Sequence, residues 1–578
     1  MRKPILLLLA ALLAACAPRP STPVAIPTIQ PSAPTATVTA TSAAVPGTLW
    51  ISPAVPAALR QAAESWGLQA AADPEQAALS LGIHSADTGG SQWVYALVAP
   101  FPTIMDGVTS SELKALWSGS STASFSSWPL LMDASTLEAF TEAWGTPAIA
   151  VHVVGADQLV DLAWAKLPAM AIIPFEAIQP RWKVLTIDGQ SPIHKDFDAD
   201  TYPLKISFTL SSSGDTPRPD LPASNRDASK LTTLIMSGTT ALVREIAYQM
   251  EVKGIDYPAQ DIGDTLRQAD LVHVSNEVAF DPNCPAPNPL KNRFYCSDPR
   301  YIGLFDAAHV NIVELTGNHI LDNGVYAMLY TLQLYTKHHI SYFGGGANLE
   351  DARKPLIIDS NGNKLAFLGC NAGEPPEPFA TAYSPGANPC DYPTLIEQIK
   401  QLRAQGMLPI VTFQYKEGYS PQTMPWQDYD FRQVAAAGAV IVSGSQSHVP
   451  MKMEFYKGTF IHYGLGNLFF GQMGNQPPGP GLPLQPAERY EFIDRHVFYD
   501  GRYLGTELLT AMLEDYARPR PMTPDERAAF LTAYFGYSGW LPLIPTPAPS
   551  KTPTRYPLLK FDPLPTHTPL PPGTPPPP

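Results

Sequence analysis

Asn318 and His319 stand side by side in the polar turn Gly317-Asn318-His319, which stops an apolar run made by Val310, Ile312, Val313 and Leu315. An amide oxygen next to an imidazole suits a metal ion or a phosphate. The pair could equally cap the following helix and satisfy loop backbone, and a three-residue motif leaves both readings open. Three more apolar runs end in the same manner. Ala269 to Ser275 leads into Asn276-Glu277, Leu408 to Phe413 into Gln414-Tyr415-Lys416-Glu417, and Ala439 to Ser443 into Gly444-Ser445-Gln446-Ser447-His448. Each terminus carries groups that coordinate or hydrogen-bond.

Beyond Gly324 the apolar residues Val325, Met328, Leu329, Leu332 and Tyr335 recur at helical spacing. The layout is a buried strand, a site-bearing loop and a crossover helix. In open α/β sheets, ligands bind at loops leaving the carboxyl ends of strands. Strands of one parallel sheet would gather the four termini at one edge.

From about Thr232 to Phe470 the chain resembles the CapA, or poly-γ-glutamate capsule synthesis, family, whose fold is similar to the calcineurin-like metallophosphatases. That family reads Gly-Asp, Asn-Leu-Glu, Asn-Asn-His with a following Asp-x-Gly, His-Trp-Gly-x-Glu, Gly-x-His-Pro-His and Gly-Asn-Phe. The same order appears here as Gly238-Thr239, Ser275-Asn276-Glu277, Gly317-Asn318-His319 with Asp322 and Gly324, Gln414 to Glu417, Gly444 to His448, and Gly466-Asn467-Leu468. The resemblance implies catalytic roles for Glu277, Asn318, His319 and His448. It implies ligand contacts from Gln414, Glu417 and Gln446, with Asn467 orienting the site through its amide. Arg244 matches the family's Gly-Asp-x-x-x-x-Arg opening, and either pairs with an anionic ligand or anchors a carboxylate of the fold.

The departures are informative. Thr239 replaces the first Asp, Gln414 the His before Trp-Gly, and Gln446 the first His of the last pair, while Glu417 falls one position early. A bridged pair of metals ~3.5–4 Å apart needs several anionic or imidazole donors. Thr and Gln are weak neutral donors and cannot replace a bridging carboxylate. Two states remain: one divalent ion on Glu277, Asn318 and His448, or a metal-free polar pocket. If the chain is an enzyme, the resemblance implies a metal-dependent hydrolase or transferase. The function expected is a lipoprotein of capsule or poly-γ-glutamate biosynthesis and export, its metallophosphatase-like site partly degraded. A non-catalytic binding or scaffold lipoprotein is the alternative. The expected partners are an anionic cell-surface polymer or its assembly machinery.

The chain has 578 residues, enough for two or three domains, and 45% of them are hydrophobic. A formal charge of −14 argues against a nucleic-acid partner. Met1-Arg2-Lys3 and the apolar run Ile5 to Leu13 read as a signal peptide, too short for the ~20 residues of a membrane span. It closes on Leu13-Ala14-Ala15-Cys16, which resembles a bacterial lipoprotein box. Cys16 would then carry lipid, placing the protein outside the cytoplasm and tethered to the membrane. The remaining cysteines are Cys284, Cys296, Cys370 and Cys390. Local disulfides Cys284–Cys296 and Cys370–Cys390 suit an oxidising compartment, whereas a zinc site would favour tighter spacing.

Residues 17–46 form a Pro/Thr/Ser/Ala spacer and residues 541–578 a proline-rich tail. Between them the chain divides into an α/β domain at 47–210, a Ser/Pro/Asp-rich linker at 211–230, a CapA-like α/β domain at 231–515 and a closing helical segment at 516–540. The first domain has strands around Thr48, Trp93, Ala148 and Met170, with a helix capped near Ser111 and His152 as a core histidine. Through Ala99-Pro100-Phe101-Pro102-Thr103, Ile173-Pro174-Phe175 and Val184 to Gly189 it resembles phosphate-type periplasmic substrate-binding proteins. It binds a ligand or serves as scaffold; fold-level likeness does not choose. Gly344-Gly345-Gly346 suits a tight turn or a phosphate cradle.

Overall fold

Leu231–Ala241, apolar at its centre through Leu234, Ile235 and Met236, is buried along all eleven residues. A strand covered on both faces needs neighbours on both edges. Leu271–Asn276 pairs with it in parallel and Tyr490–Tyr499 antiparallel, while Asn467–Phe470 joins its carboxyl end. The computed structural model describes residues 45–83, 90–213, 216–289, 295–373, 378–473, 481–482, 486–543 and 564. Cys16 with the signal segment, nearly all of the 17–46 spacer and most of the 541–578 tail lie outside the described residues.

Around the central strand lies an eight-stranded sheet containing Ser341–Phe343, Ile312–Glu314, Leu271–Asn276, Tyr490–Tyr499, Arg502–Glu514 and Arg518–Pro521. A separate six-stranded sheet runs Leu356–Ser360, Asn363–Asn371, Leu408–Gly418, Ile441–Ser447, Thr459–His462 and Met453–Tyr456. The period-two alternation of strands assigns each residue to a layer. Leu234 and Met236 of one sheet share a core with Phe367 and Ile410 of the other. Their neighbours point outward: Ile235 packs with Ile246 and Met328 of flanking helices, and Leu368 and Val411 pack with Ile399 and Val434. The result is helix, sheet, sheet, helix.

This corrects the expectation of a single parallel sheet. Two of the four termini belong to each sheet, because the chain starts a second sheet at the hairpin Leu356–Ser360 and Asn363–Asn371. Asn361 and Gly362, both at positive φ, make its turn, the Asn-Gly preference of a type I′ hairpin. Two strands also run further than their apolar runs indicate. Leu408–Gly418 continues through Gln414 to Glu417, and Ile441–Ser447 continues through Gln446.

The segment from Val45 to Ser212 builds a nine-stranded sheet of mixed direction. Its helix Ser110–Trp117 is capped by Thr109, two residues before Ser111, in a capping box with Glu112. His152 lies on Val151–Val153, the last strand of that sheet's order, and is only half-buried, so it is not a core histidine. Gly344 takes a left-handed φ of 74°, and a Cβ at Gly345 would meet Leu315 O at 2.3 Å, so close packing explains the glycine run. Cysteines 284 and 296, and 370 and 390, form the two local disulfides. No helix among the described residues is long and apolar enough to cross a membrane.

Candidate functional site

Glu277 follows the last residue of Leu271–Asn276, and its amide N–H donates to Thr240 O at 2.9 Å. That anchor fixes the carboxylate at the carboxyl edge of the sheet, where it is 1% exposed. Asn318 arrives from the next strand on a turn that needs Gly317: a Cβ there would lie 2.4 Å from Glu277 Cα. From the other sheet, Gln414 and Gln446 reach across on the strand extensions. Gln414 Nε2 donates to Glu277 Oε1 at 3.3 Å, to Asn318 Oδ1 at 3.2 Å and to Gln446 Oε1. Its Oε1 accepts from Ser445 Oγ at 3.0 Å. Gln446 holds a left-handed φ of 72°, and its N–H donates to Thr239 Oγ1 at 3.3 Å. Thr239 thus supports the backbone from the position of the family's first Asp.

His448 lies at the next position but one along the chain. Its Nδ1 is 3.0 Å from Asn467 Oδ1, and Asn467 Nδ2 donates to His448 O at 3.3 Å. One amide therefore fixes both the ring and the backbone of His448. His319 Nδ1 pairs with Asp322 Oδ2 at 2.8 Å, and the Tyr295 ring stacks on the imidazole at 4.1 Å. Glu417 sits exposed at the mouth and accepts from Tyr419 OH at 2.6 Å.

A cleft of about 360 Å³ opens over this cluster, lined by Asn318, Asn371, Gln414, Gln446, Lys416 and Glu417. Glu277 lies beneath it, bonded to Gln414. His319 and His448 do not line it; they flank Glu277 and act on it through their fields. Burial, the largest influence, raises the Glu277 pKa, against the lowering effects of His448, His319, Gln414 and Arg244. For His319, burial opposes protonation, yet the Asp322 hydrogen bond and the Glu277 charge outweigh it and raise the pKa.

Three groups escaped the sequence reading. Asn371 ends Asn363–Asn371 and donates to Thr316 O at 2.9 Å while lining the cleft. A polar residue closing an apolar run is the signal that picked out the other four termini, and it would have found this one. Tyr295 and Phe470 back His319 and His448, and neither an aromatic in a loop nor one closing an apolar strand carries such a signal.

The donor set does not fit a metal. An amide N–H group, which repels a cation, stands at the focus of the Glu277, Asn318 and Gln446 oxygens. Glu277 is the one carboxylate in that focus, and no group of three or more His, Cys, Asp or Glu among the described residues could hold a metal ion. What the cluster offers instead is amide donors and acceptors around a buried carboxyl group.

Residues 233–472 match the family model described as bacterial capsule synthesis protein PGA_cap. The capsule biosynthesis protein CapA of Bacillus anthracis is 24% identical over 257 residues, covering 43% of this chain and 62% of that protein. The PGA biosynthesis protein CapA of Bacillus subtilis is 26% identical over 238 residues, covering 41% and 62%. The chain thus spans about three-fifths of the length of these relatives. Among solved structures, a 5′-nucleotidase precursor from Thermus thermophilus is 12% identical, covering 53% of this chain and 58% of that one, with a TM-score of 0.30. A phosphate transport receptor from Vibrio cholerae is 13% identical, covering 29% and 88%, with a TM-score of 0.26. Neither superposition is close enough to bear on function. The ordered motifs around the cleft and the family match coincide, and residues 233–472 are similar to the CapA, or PGA_cap, family of bacterial capsule synthesis proteins.

Proposed function

We propose that this chain serves capsule or poly-γ-glutamate assembly at the cell surface as a lipid-anchored protein. Cys16 supplies the anchor, residues 47–210 form a substrate-binding-protein-like domain, and residues 231–515 carry the working cleft. In this reading the cleft binds the amide backbone of an anionic polymer, and the two-metal hydrolysis of the ancestral fold is lost. One observation carries it: Gln414 places a hydrogen-bond donor where a cation would have to sit. Side-chain amides of Asn318, Asn371, Gln414 and Gln446 match the alternating N–H and C=O of a polyamide. Capsule and polyglutamate synthesis are what the names of the Bacillus relatives state for those proteins.

The test has two arms. Purified full chain should bind a γ-linked glutamate oligomer, and Gln414→Ala should weaken that binding roughly tenfold, the worth of about one buried hydrogen bond. Metal analysis should find no tightly bound pair of ions in the native chain. Restoring the family's donors by Thr239→Asp, Gln414→His and Gln446→His together should raise the metal content. Two tight metals in the native protein, with phosphoesterase turnover, would overturn the reading.

A further inference from the structure

Arg244 stands behind this site, separated from its two histidines by the Tyr295 and Phe470 rings and lining a small separate cavity with Val243, Ala247 and Cys284, and its surroundings are unusual for a guanidinium. It opens the helix Arg244–Lys253 at a left-handed φ of 51°. Its side chain is 16% exposed, Nε is buried, and that nitrogen has no hydrogen-bond partner among the described residues. The nearest carboxylate oxygen, on Glu245, is 3.8 Å away, beyond hydrogen-bond range. Buried charges are ordinarily paired and hydrogen-bonded. Here the guanidinium lies over two rings instead, 5.7 Å from the centroid of Tyr295 and 5.4 Å from that of Phe470. Ring faces stabilise the charge of a guanidinium yet accept none of its in-plane N–H bonds. The fork that recognises carboxylate or phosphate therefore stays free.

The rings also locate it. Tyr295 stacks on His319 at 4.1 Å, and Phe470 lies 4.9 Å from His448. Arg244 thus bridges the two histidines that flank Glu277, and its charge is felt at Glu277 and His319. The alternative, an arginine that anchors a carboxylate of the fold, would need a short contact to that carboxylate, and the described residues provide none.

The geometry points to Arg244 as the anion receptor of the site, clamped between Tyr295 and Phe470 to take a carboxylate or phosphoryl group of the ligand whose amide portion occupies the cleft. The assignment rests on the ligand-binding reading of that cleft.

Three probes test it on the full chain by titration calorimetry: a γ-linked glutamate tetramer, the same tetramer with its carboxyl groups methyl-esterified, and inorganic phosphate. Arg244→Gln should cost the charged tetramer roughly tenfold or more, the worth of a charge-assisted pair, and leave the neutral ester unchanged. Arg244→Lys, which keeps the charge and loses the fork, should fall between. Phosphate that binds native chain and not Arg244→Gln would make the receptor's anion a phosphoryl group; failure of phosphate to bind alongside an Arg244-dependent tetramer would make it a carboxylate. Melting temperature separates a receptor from a structural anchor, since losing a half-buried charge whose ion pair among the described residues is only the 3.8 Å contact to Glu245 should not lower it. Unchanged affinity for the charged tetramer in Arg244→Gln, or a marked fall in melting temperature, overturns the assignment. If Gln414→Ala still weakens both tetramers, the cleft reading survives that loss; if it weakens neither, the cleft reading itself fails.

Discussion

Glu314 shows what burial does to a single carboxyl group in this sandwich. It ends the strand Ile312–Glu314, is 1% exposed, and its pKa is pushed up to about 7, mainly by loss of water and despite the hydrogen bond from Thr316 Oγ1. His273 Nε2 lies 3.6 Å from it, and burial presses that imidazole down to about 3, so the pair is neutral at the lower end of the physiological range. The unfolded chain loses the Glu314 proton near 4.5, whereas the folded chain keeps it to about 7. Between those values the native state binds more protons, so this group's contribution to stability falls as pH rises and is constant above about 7. At 1.36 kcal/mol per unit the loss is about 3 kcal/mol. Glu314→Gln keeps the shape without the charge. Its stability relative to the parent, from urea melts, should therefore rise by about that amount from pH 4.5 to 7. A difference that does not change with pH would show that Glu314 ionises normally. Nothing in the sequence marks Glu314, because an ionisable residue at a strand end reads the same whether water reaches it or a second sheet covers it. The buried pair His462 Nδ1 and Asp494 Oδ2, 2.7 Å apart, went unread for the same reason.

Elements were legible where local chemistry alone decides them. The apolar runs located the strands, Cys parity located the disulfides, and the spacing after Gly324 located the helix Gly324–Lys337. Strand partners were not legible, since alternation states which face is buried and not which sheet buries it. The turn at Gly317 ties the two levels together. Gly317→Ala would set its Cβ 2.4 Å from Glu277 Cα and 2.9 Å from Glu277 O, and backbone cannot yield as a flexible side chain can. The turn should shift, costing roughly 1–3 kcal/mol of stability and moving Asn318 away from Gln414. The tetramer titration should then show weaker binding in Gly317→Ala even at temperatures where the chain remains folded. Native affinity in that variant would mean that the position of Asn318 is not needed. The Cys370–Cys390 disulfide secures the opposite wall, joining the strand that presents Asn371 to the start of helix Tyr392–Ala404. Replacing both cysteines by Ser should lower stability by about 3 kcal/mol for a loop of this length, read as a fall in urea midpoint with the slope retained. An unchanged midpoint would show that the link adds nothing to the fold.

At the scale of the molecule, a linker around 211–230 suggests two bodies, yet the described residues from 45 to 543 fall in one compact unit. The core of the first sheet includes Val497, Tyr499 and Leu504 from the far end of the chain. In the opposite direction Phe101 leaves the first sheet and enters the sandwich core. It is 2% exposed, and its ring lies 5.1 Å from Phe455, 5.4 Å from Phe460 and 5.7 Å from Trp540. Beside it Arg527 binds Asp106 through two hydrogen bonds of 2.9 Å, and with Lys183 it helps hold the Asp106 pKa near 2 against burial. Shared apolar surface of this kind couples the unfolding of both parts. Phe101→Ala removes a large buried ring at their junction and should cost about 3–5 kcal/mol. Arg527→Ala leaves Asp106 to Lys183 alone and should cost less, because Asp106 is half-exposed and water screens it. If the parts fold together, each variant should melt in one transition at a lower temperature than the parent, with tryptophan fluorescence and far-ultraviolet circular dichroism superimposing. Trp93 and Trp117 report on the first sheet, while circular dichroism averages over both parts. A two-step melt in Phe101→Ala, in which one probe keeps the parent's midpoint, would show that the linker separates two independent folding units and that the shared core is only a contact between them.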